Sequence, residues 1–206
     1  MIDSALFLML AGAGSYRLLA LGLDRASRFK KRTIEEVFDF VHPVSNQDAE
    51  TLFSLREEEK VAEFWQAKEL FREEQHRRMG RAQAYILRRQ HNALIIEQWA
   101  NTEWSDMRKN SLQDEAGPDL IDAIVHAQHA TSSFRVASSM VLSRISFWNT
   151  MHLVDNWQVL SPPSIAGLRK AGKIDLLRGY QNVRETALAL ASFYGQERRE
   201  LLGSLI

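Results

Sequence analysis

The sequence predicts an all-α chain: one N-terminal transmembrane helix, a long amphipathic helical arm and a C-terminal helical bundle. Three observations carry this. Ser4 to Leu23 is an apolar run of twenty residues interrupted by a single charge, Arg17. Beyond residue 33 there is no sustained period-two alternation and no Asn-Gly or Asp-Gly hairpin signal. Apolar residues recur instead at helical spacing between sparse proline and glycine.

Residues 1–23 are read as the anchor. A twenty-residue helix rises about 30 Å, the thickness of a hydrocarbon core. A secretory signal places its positive charge before the apolar run, whereas here Asp3 precedes it and the positive residues follow. Arg17 lies six residues from Leu23, about 9 Å along the axis, close enough for a long side chain to snorkel to the interface. The cluster Arg25, Arg28, Lys30, Lys31 and Arg32 follows at once, and with Arg17 it is expected at lipid headgroups. Positive residues stay on the cytoplasmic side, so the sequence predicts a single pass with the N-terminus out and the remainder cytoplasmic. Ala11, Gly14, Ser15 and Gly22 are small enough to let a second helix pack closely within the bilayer.

Residues 24–45 form a basic juxtamembrane segment and a short helix over 33–41, ended by His42-Pro43. Residues 46–112 are read as an extended arm. Leu52, Leu55, Val61, Phe64, Trp65, Phe71, Ala82, Tyr85, Ile86, Leu94, Ile95 and Trp99 keep a helical period, but Lys68 to Arg81 is mostly charged. Such a stretch is expected against solvent or a partner, either as one bent rod or as two helices divided at Gly80. Asn101 or Thr102 is placed to cap a further short helix. Gly117-Pro118 then opens a compact bundle over 118–206. Its expected core includes Ile124, Val125, Phe134, Val136, Met140, Val141, Ile145 and Phe147. Thr131-Ser132-Ser133 could interrupt this stretch. After Ser161-Pro162-Pro163-Ser164 come a short helix and one final helix from Ile174 to about Leu202.

Composition excludes several chemistries. The 206 residues contain no cysteine, which removes disulfides, thiolate catalysis and Cys-type zinc sites. With 26 basic and 26 acidic residues the total charge is balanced, which argues against a nucleic-acid binder. No Gly-rich phosphate loop is present. One possible metal site remains: Asp122, His126 and His129 share a helix face and could converge on a divalent cation. Glu73-x-x-His76 has di-iron spacing but occurs once, and that chemistry needs a second copy. His152 and Asp155 imitate a His–Asp pair without a placed nucleophile.

Phe64, Trp65 and Phe71, with Arg81, Tyr85 and Arg88, are the expected partner-binding residues: aromatic anchors on a charged helix. The layout resembles that of small single-anchor helical proteins of bacterial inner membranes, and no motif carries a family. The expected function is a membrane-anchored interaction or scaffold protein, an accessory subunit of a larger assembly, with the bilayer and other subunits or further copies as partners. It needs no cofactor. The alternatives are a metal-dependent enzyme, possibly a hydrolase, centred on Asp122, His126 and His129, and a membrane-tethered nucleic-acid binder.

Overall fold

The computed structural model describes residues 30–64, 68–109, 117–151, 163–171 and 174–206. Among them the elements are α1 (Ile34–Phe40), α2 (Asn46–Leu52), α3 (Leu55–Phe64), α4 (Lys68–Lys109), α5 (Pro118–Met151) and α6 (Ile165–Leu168). The two-residue strands β1 (Lys170–Ala171) and β2 (Ile174–Asp175) follow, then α7 (Leu176–Ser192) and α8 (Gln196–Leu205). The chain is therefore mostly helical. Among the described residues, the expectation of no strand after residue 33 fails only at the antiparallel β1–β2 ladder, where Lys170 pairs Asp175 and Ala171 pairs Ile174. No helix among the described residues is long and apolar enough to cross a membrane. Residues 4–23, on which the anchor expectation falls, lie outside them.

Local chemistry sets the boundaries. Thr33 and Glu36 close a capping box on α1. Asp175 caps α7 by accepting from the amides of Leu177 and Arg178. The expected single helix over 174–202 is instead β2, α7 and α8. It breaks at Phe193–Gly195, where Gly195 adopts φ 108°, a left-handed conformation that suits glycine. Thr131 does not interrupt α5, because its hydroxyl bonds back to the Ala127 and Gln128 carbonyls. Thr102 likewise bonds the Gln98 carbonyl inside α4, so no new helix starts there. Gly80 does not divide α4 either.

Antiparallel α4 and α5 form the body, and α7 runs antiparallel along the other side of α5. Gln83 meets Asn149, Gln90 meets Ser139, and Asn101 meets Gln128 between the first two. The rings of Phe134 of α5 and Tyr180 of α7 pack at a tilt, with centroids 5.4 Å apart. Gly179 permits that approach, since a Cβ there would already touch Ile174 and Phe134 at 3.4 Å. Helices α1 and α8 close one end of the body, joined by Glu35 and Arg198 at 2.9 Å. Helices α2, α3 and α6 gather at the other.

The arm expected over 46–112 is not set apart from a bundle starting at 118. Met79, Ala82, Ile86, Ile95, Ile96 and Trp99 of α4 share one core with Ile124, Phe134, Val141 and Ile145 of α5 and Tyr180, Val183 and Leu190 of α7. Charge misled the expectation because α4 buries its polar side chains in pairs. Gln75 donates to Glu58 and to the Pro163 carbonyl. Arg78 donates to the Leu52 carbonyl at 3.3 Å. Glu97 and Arg135 form a buried ion pair between α4 and α5.

The α5 core was expected too broadly. Ile124, Phe134, Val141 and Ile145 are buried, but Val125, Val136, Met140 and Phe147 are each 45–55% exposed. Among the described residues α4 and α7 cover the side of α5 that carries Ile124, Phe134, Val141 and Ile145, and the four exposed apolar side chains fall on the side they leave uncovered.

Two measurements check this packing. Glu97→Leu leaves Arg135 buried without its carboxylate and should lower unfolding free energy by about 3–5 kcal/mol, whereas adding Arg135→Met should recover most of the loss. Urea midpoints followed by circular dichroism report both. Gly80→Ala fills open space on an exposed helix position and should stabilise by about 0.5–1 kcal/mol.

Candidate functional site

The residues expected at lipid headgroups divide. Arg17, Arg25 and Arg28 lie outside the described residues, as do Ala11, Gly14, Ser15 and Gly22. Lys30 and Lys31 are exposed. Arg32 is not a headgroup residue: it is buried, its amide donates to the Thr102 hydroxyl at 2.9 Å, and its Nε donates to Gln98 at 2.5 Å. Its guanidinium stacks on the Phe40 ring at 4.1 Å. Lys31 lies 4.0 Å from Asp106. The stretch after the basic cluster is thus fixed to the last third of α4.

The partner-binding residues are also dispersed. The Phe64 side chain and Trp65 lie outside the described residues, and Phe71 is half-buried. Arg81 is exposed and bonds Glu74 at 2.9 Å, and Arg88 is exposed on the same helix. Tyr85 is structural. Its hydroxyl donates to the Ser45 carbonyl, its edge meets Phe53, and Arg89 covers one face at 4.3 Å. A base could not use that covered face. Arg89 is buried between Tyr85 and Tyr180, 4.3 Å from each ring. Desolvation lowers its pKa, and the two rings hold the cation by their negative faces.

Beside this sandwich is a polar knot that sequence reasoning missed. Asn92 donates to the His42 carbonyl and the Tyr180 hydroxyl, and accepts from the His42 amide. The His42 and His91 rings stack at 4.8 Å, and His91 Nε2 donates to the Phe40 carbonyl at 3.1 Å. The single hint in the sequence was His42-Pro43, which marks a turn that something must hold.

The predicted metal residues fare unevenly. His126 and His129 sit on the rim of a cleft of about 500 Å³ between α5 and α7. Ser133, Asn182 and Thr186 also line it, and Phe134 is among its apolar walls. Asp122 does not line it. Among the described residues no three His, Asp or Glu side chains come together to hold a metal, so Asp122, His126 and His129 do not form the expected triad. The walls offer imidazole, carboxamide and hydroxyl groups, which can hydrogen-bond a small polar group. Glu73 is engaged with Arg77 at 2.5 Å. His152 and Asp155 lie outside the described residues.

The feature with the widest reach is the outer face of α5. Val136, Met140 and Phe147 recur at helical spacing along about 17 Å of axis, opposite the buried stripe, with Val125 farther along the same side beyond His129, Ser132 and Ser133. Near Phe147 this face borders a groove of about 610 Å³ lined by Arg144, Trp148, Ser164 and Leu168. No family model, curated protein or solved structure matches the chain.

Burial and the neighbouring His42 and Arg32 hold the His91 pKa below its ordinary 6.5, against the favourable Phe40 carbonyl. The unfolded chain then binds more protons, so this contribution to stability is present above pH 6.5 and is lost as pH falls below it. His91→Gln should flatten the dependence of the urea midpoint between about pH 5 and 7.

Proposed function

We propose that the protein is a membrane-anchored helical interaction protein, an accessory subunit that displays its helical body at the cytoplasmic face of a membrane and engages other subunits there. The observation that carries the interaction reading is the exposed apolar face of α5. Val136, Met140 and Phe147 each leave about half of a large apolar side chain exposed within about 17 Å of one side of α5, and clustered exposed apolar side chains mark interaction sites. The anchor reading rests on the apolar run 4–23 and the basic residues directly behind it.

The described body supplies little for the two alternatives. The metal-dependent enzyme would have to work from the cleft of His126 and His129 without Asp122. The nucleic-acid reading keeps the exposed Arg81 and Arg88 but loses the Tyr85 face that Arg89 covers.

Two experiments test the proposal. Removing residues 1–29, which spares the buried Arg32, should move the protein from the membrane pellet to the supernatant while circular dichroism keeps its helical signal. A truncated chain that still pellets would exclude an anchor as the sole tether. Val136→Ser, Met140→Ser and Phe147→Ser together alter exposed positions and should change the unfolding free energy, read from urea curves, by no more than about 0.5 kcal/mol per substitution. They should strip co-purifying subunits or homo-oligomer from the detergent-extracted protein, as read by native mass spectrometry. An unchanged assembly would remove α5 from the interface.

A further inference from the structure

The chain enters the helical body at a fixed point, and that point selects which end of the body meets the bilayer. Arg32 is held by Gln98 and Thr102, and Lys31 lies beside Asp106. If residues 4–23 span the membrane, only Asp24 to Lys31 separates the span from α4. Eight residues reach no more than roughly 29 Å fully extended and about 12 Å as helix. By contrast α4, with 42 residues, is about 63 Å long. Its far end, carrying Glu73 and packed against α3 and α6, is not held by this tether.

The tethered end carries the side chains that suit a lipid surface. Lys30, Lys31, Arg108 and Lys109 are exposed there, and Arg199 is exposed on α8. The turn between α7 and α8 belongs to the same end, since Tyr194 packs on Trp99 at 5.8 Å and Arg198 pairs with Glu35. That turn presents Phe193, 48% exposed. Several carboxylates of this end are engaged, while Asp122 on α5 is exposed. Glu36 closes the capping box, Glu35 faces Arg198 and Asp106 faces Lys31. Asp119 and Glu197 sit in the first turns of α5 and α8, where the helix dipole favours them.

We propose that this end rests on an anionic lipid surface, with Lys30, Lys31, Arg108 and Lys109 against headgroups and Phe193 in the interface. The inference rests on the anchor reading and adds an orientation to it: the end of α4 nearest the tether faces the bilayer, and the end bearing α3 and α6 points away. Cations near an anionic leaflet and an aromatic ring at headgroup level are the two groups such a surface favours.

The absence of cysteine makes the test direct. Full-length protein with Ser192→Cys, beside Phe193, or with Glu73→Cys, at the far end, is labelled with a fluorophore. Each is reconstituted in phosphatidylcholine vesicles with or without phosphatidylglycerol, together with a headgroup-quenching lipid. Strong quenching at 192, weak quenching at 73, and dependence on phosphatidylglycerol are expected. Arg108→Glu with Lys109→Glu should reduce the docked population at 192, by roughly fivefold per cation removed from the surface. Equal quenching at both positions, or none at 192 in protein that floats with the vesicles, overturns the proposal while leaving the anchor intact. Quenching at 192 that is indifferent to lipid charge overturns the electrostatic dock. Protein that does not float overturns the anchor reading and this inference together.

Discussion

The ion pair between Glu97 and Arg135 sets the terms for the rest of the body. A charge in a core is tolerated only with its partner in place, so the register of α4 on α5 is the one that brings Glu97 to Arg135. The same requirement recurs along α4. Gln75 needs Glu58, Asn92 needs His42 and Tyr180, and Gln98 needs Arg32. A helix this polar would be free to slide on an apolar partner. With directional contacts spaced along its length it cannot, because every slip strands several buried groups at once.

These contacts also decide what the short helices do. Glu58 is buried on α3 and accepts from the Ile165 and Ala166 amides and the Ser164 hydroxyl, so it serves as the cap of α6 from elsewhere in the chain. One carboxylate thereby ties α3, α4 and α6 into a single corner. At the opposite end Arg32 performs the matching task, joining the chain before α1 to α4 and to Phe40. Neither residue is part of an apolar pattern, and each fixes an end of the body that hydrophobic burial alone would leave loosely placed.

The sequence was informative where a residue's role follows from its neighbours along the chain. The helical class, the break at Pro118 and the apolar stripe of α7 through Tyr180, Val183, Ala187 and Leu190 were all readable from local period and punctuation. It was misleading where burial depends on partners far along the chain. Arg78, Arg89 and Glu97 look like surface residues until Leu52, the two tyrosines and Arg135 are in place. The reverse error occurred on α5, where Met140 and Phe147 look like core and are exposed. Of the candidate sites, His126 and His129 do line one cleft, because two positions three apart share a helix face. Asp122 shares that face by spacing yet does not reach the cleft. Arg32 was misassigned because a basic run gives no sign that its last member turns inward.

The pairing of α1 with α8 has a consequence for how the chain is made. Glu35 and Arg198 are 163 residues apart. At a synthesis rate of about 5–20 residues per second, α1 waits roughly 8–30 s before its partner emerges from the ribosome. During that interval part of the surface that closes the near end has no cover. An apolar segment already made and already engaged with a bilayer would keep the unfinished chain at the membrane throughout. Premature association between nascent chains would then be governed by how densely translating ribosomes crowd on that surface.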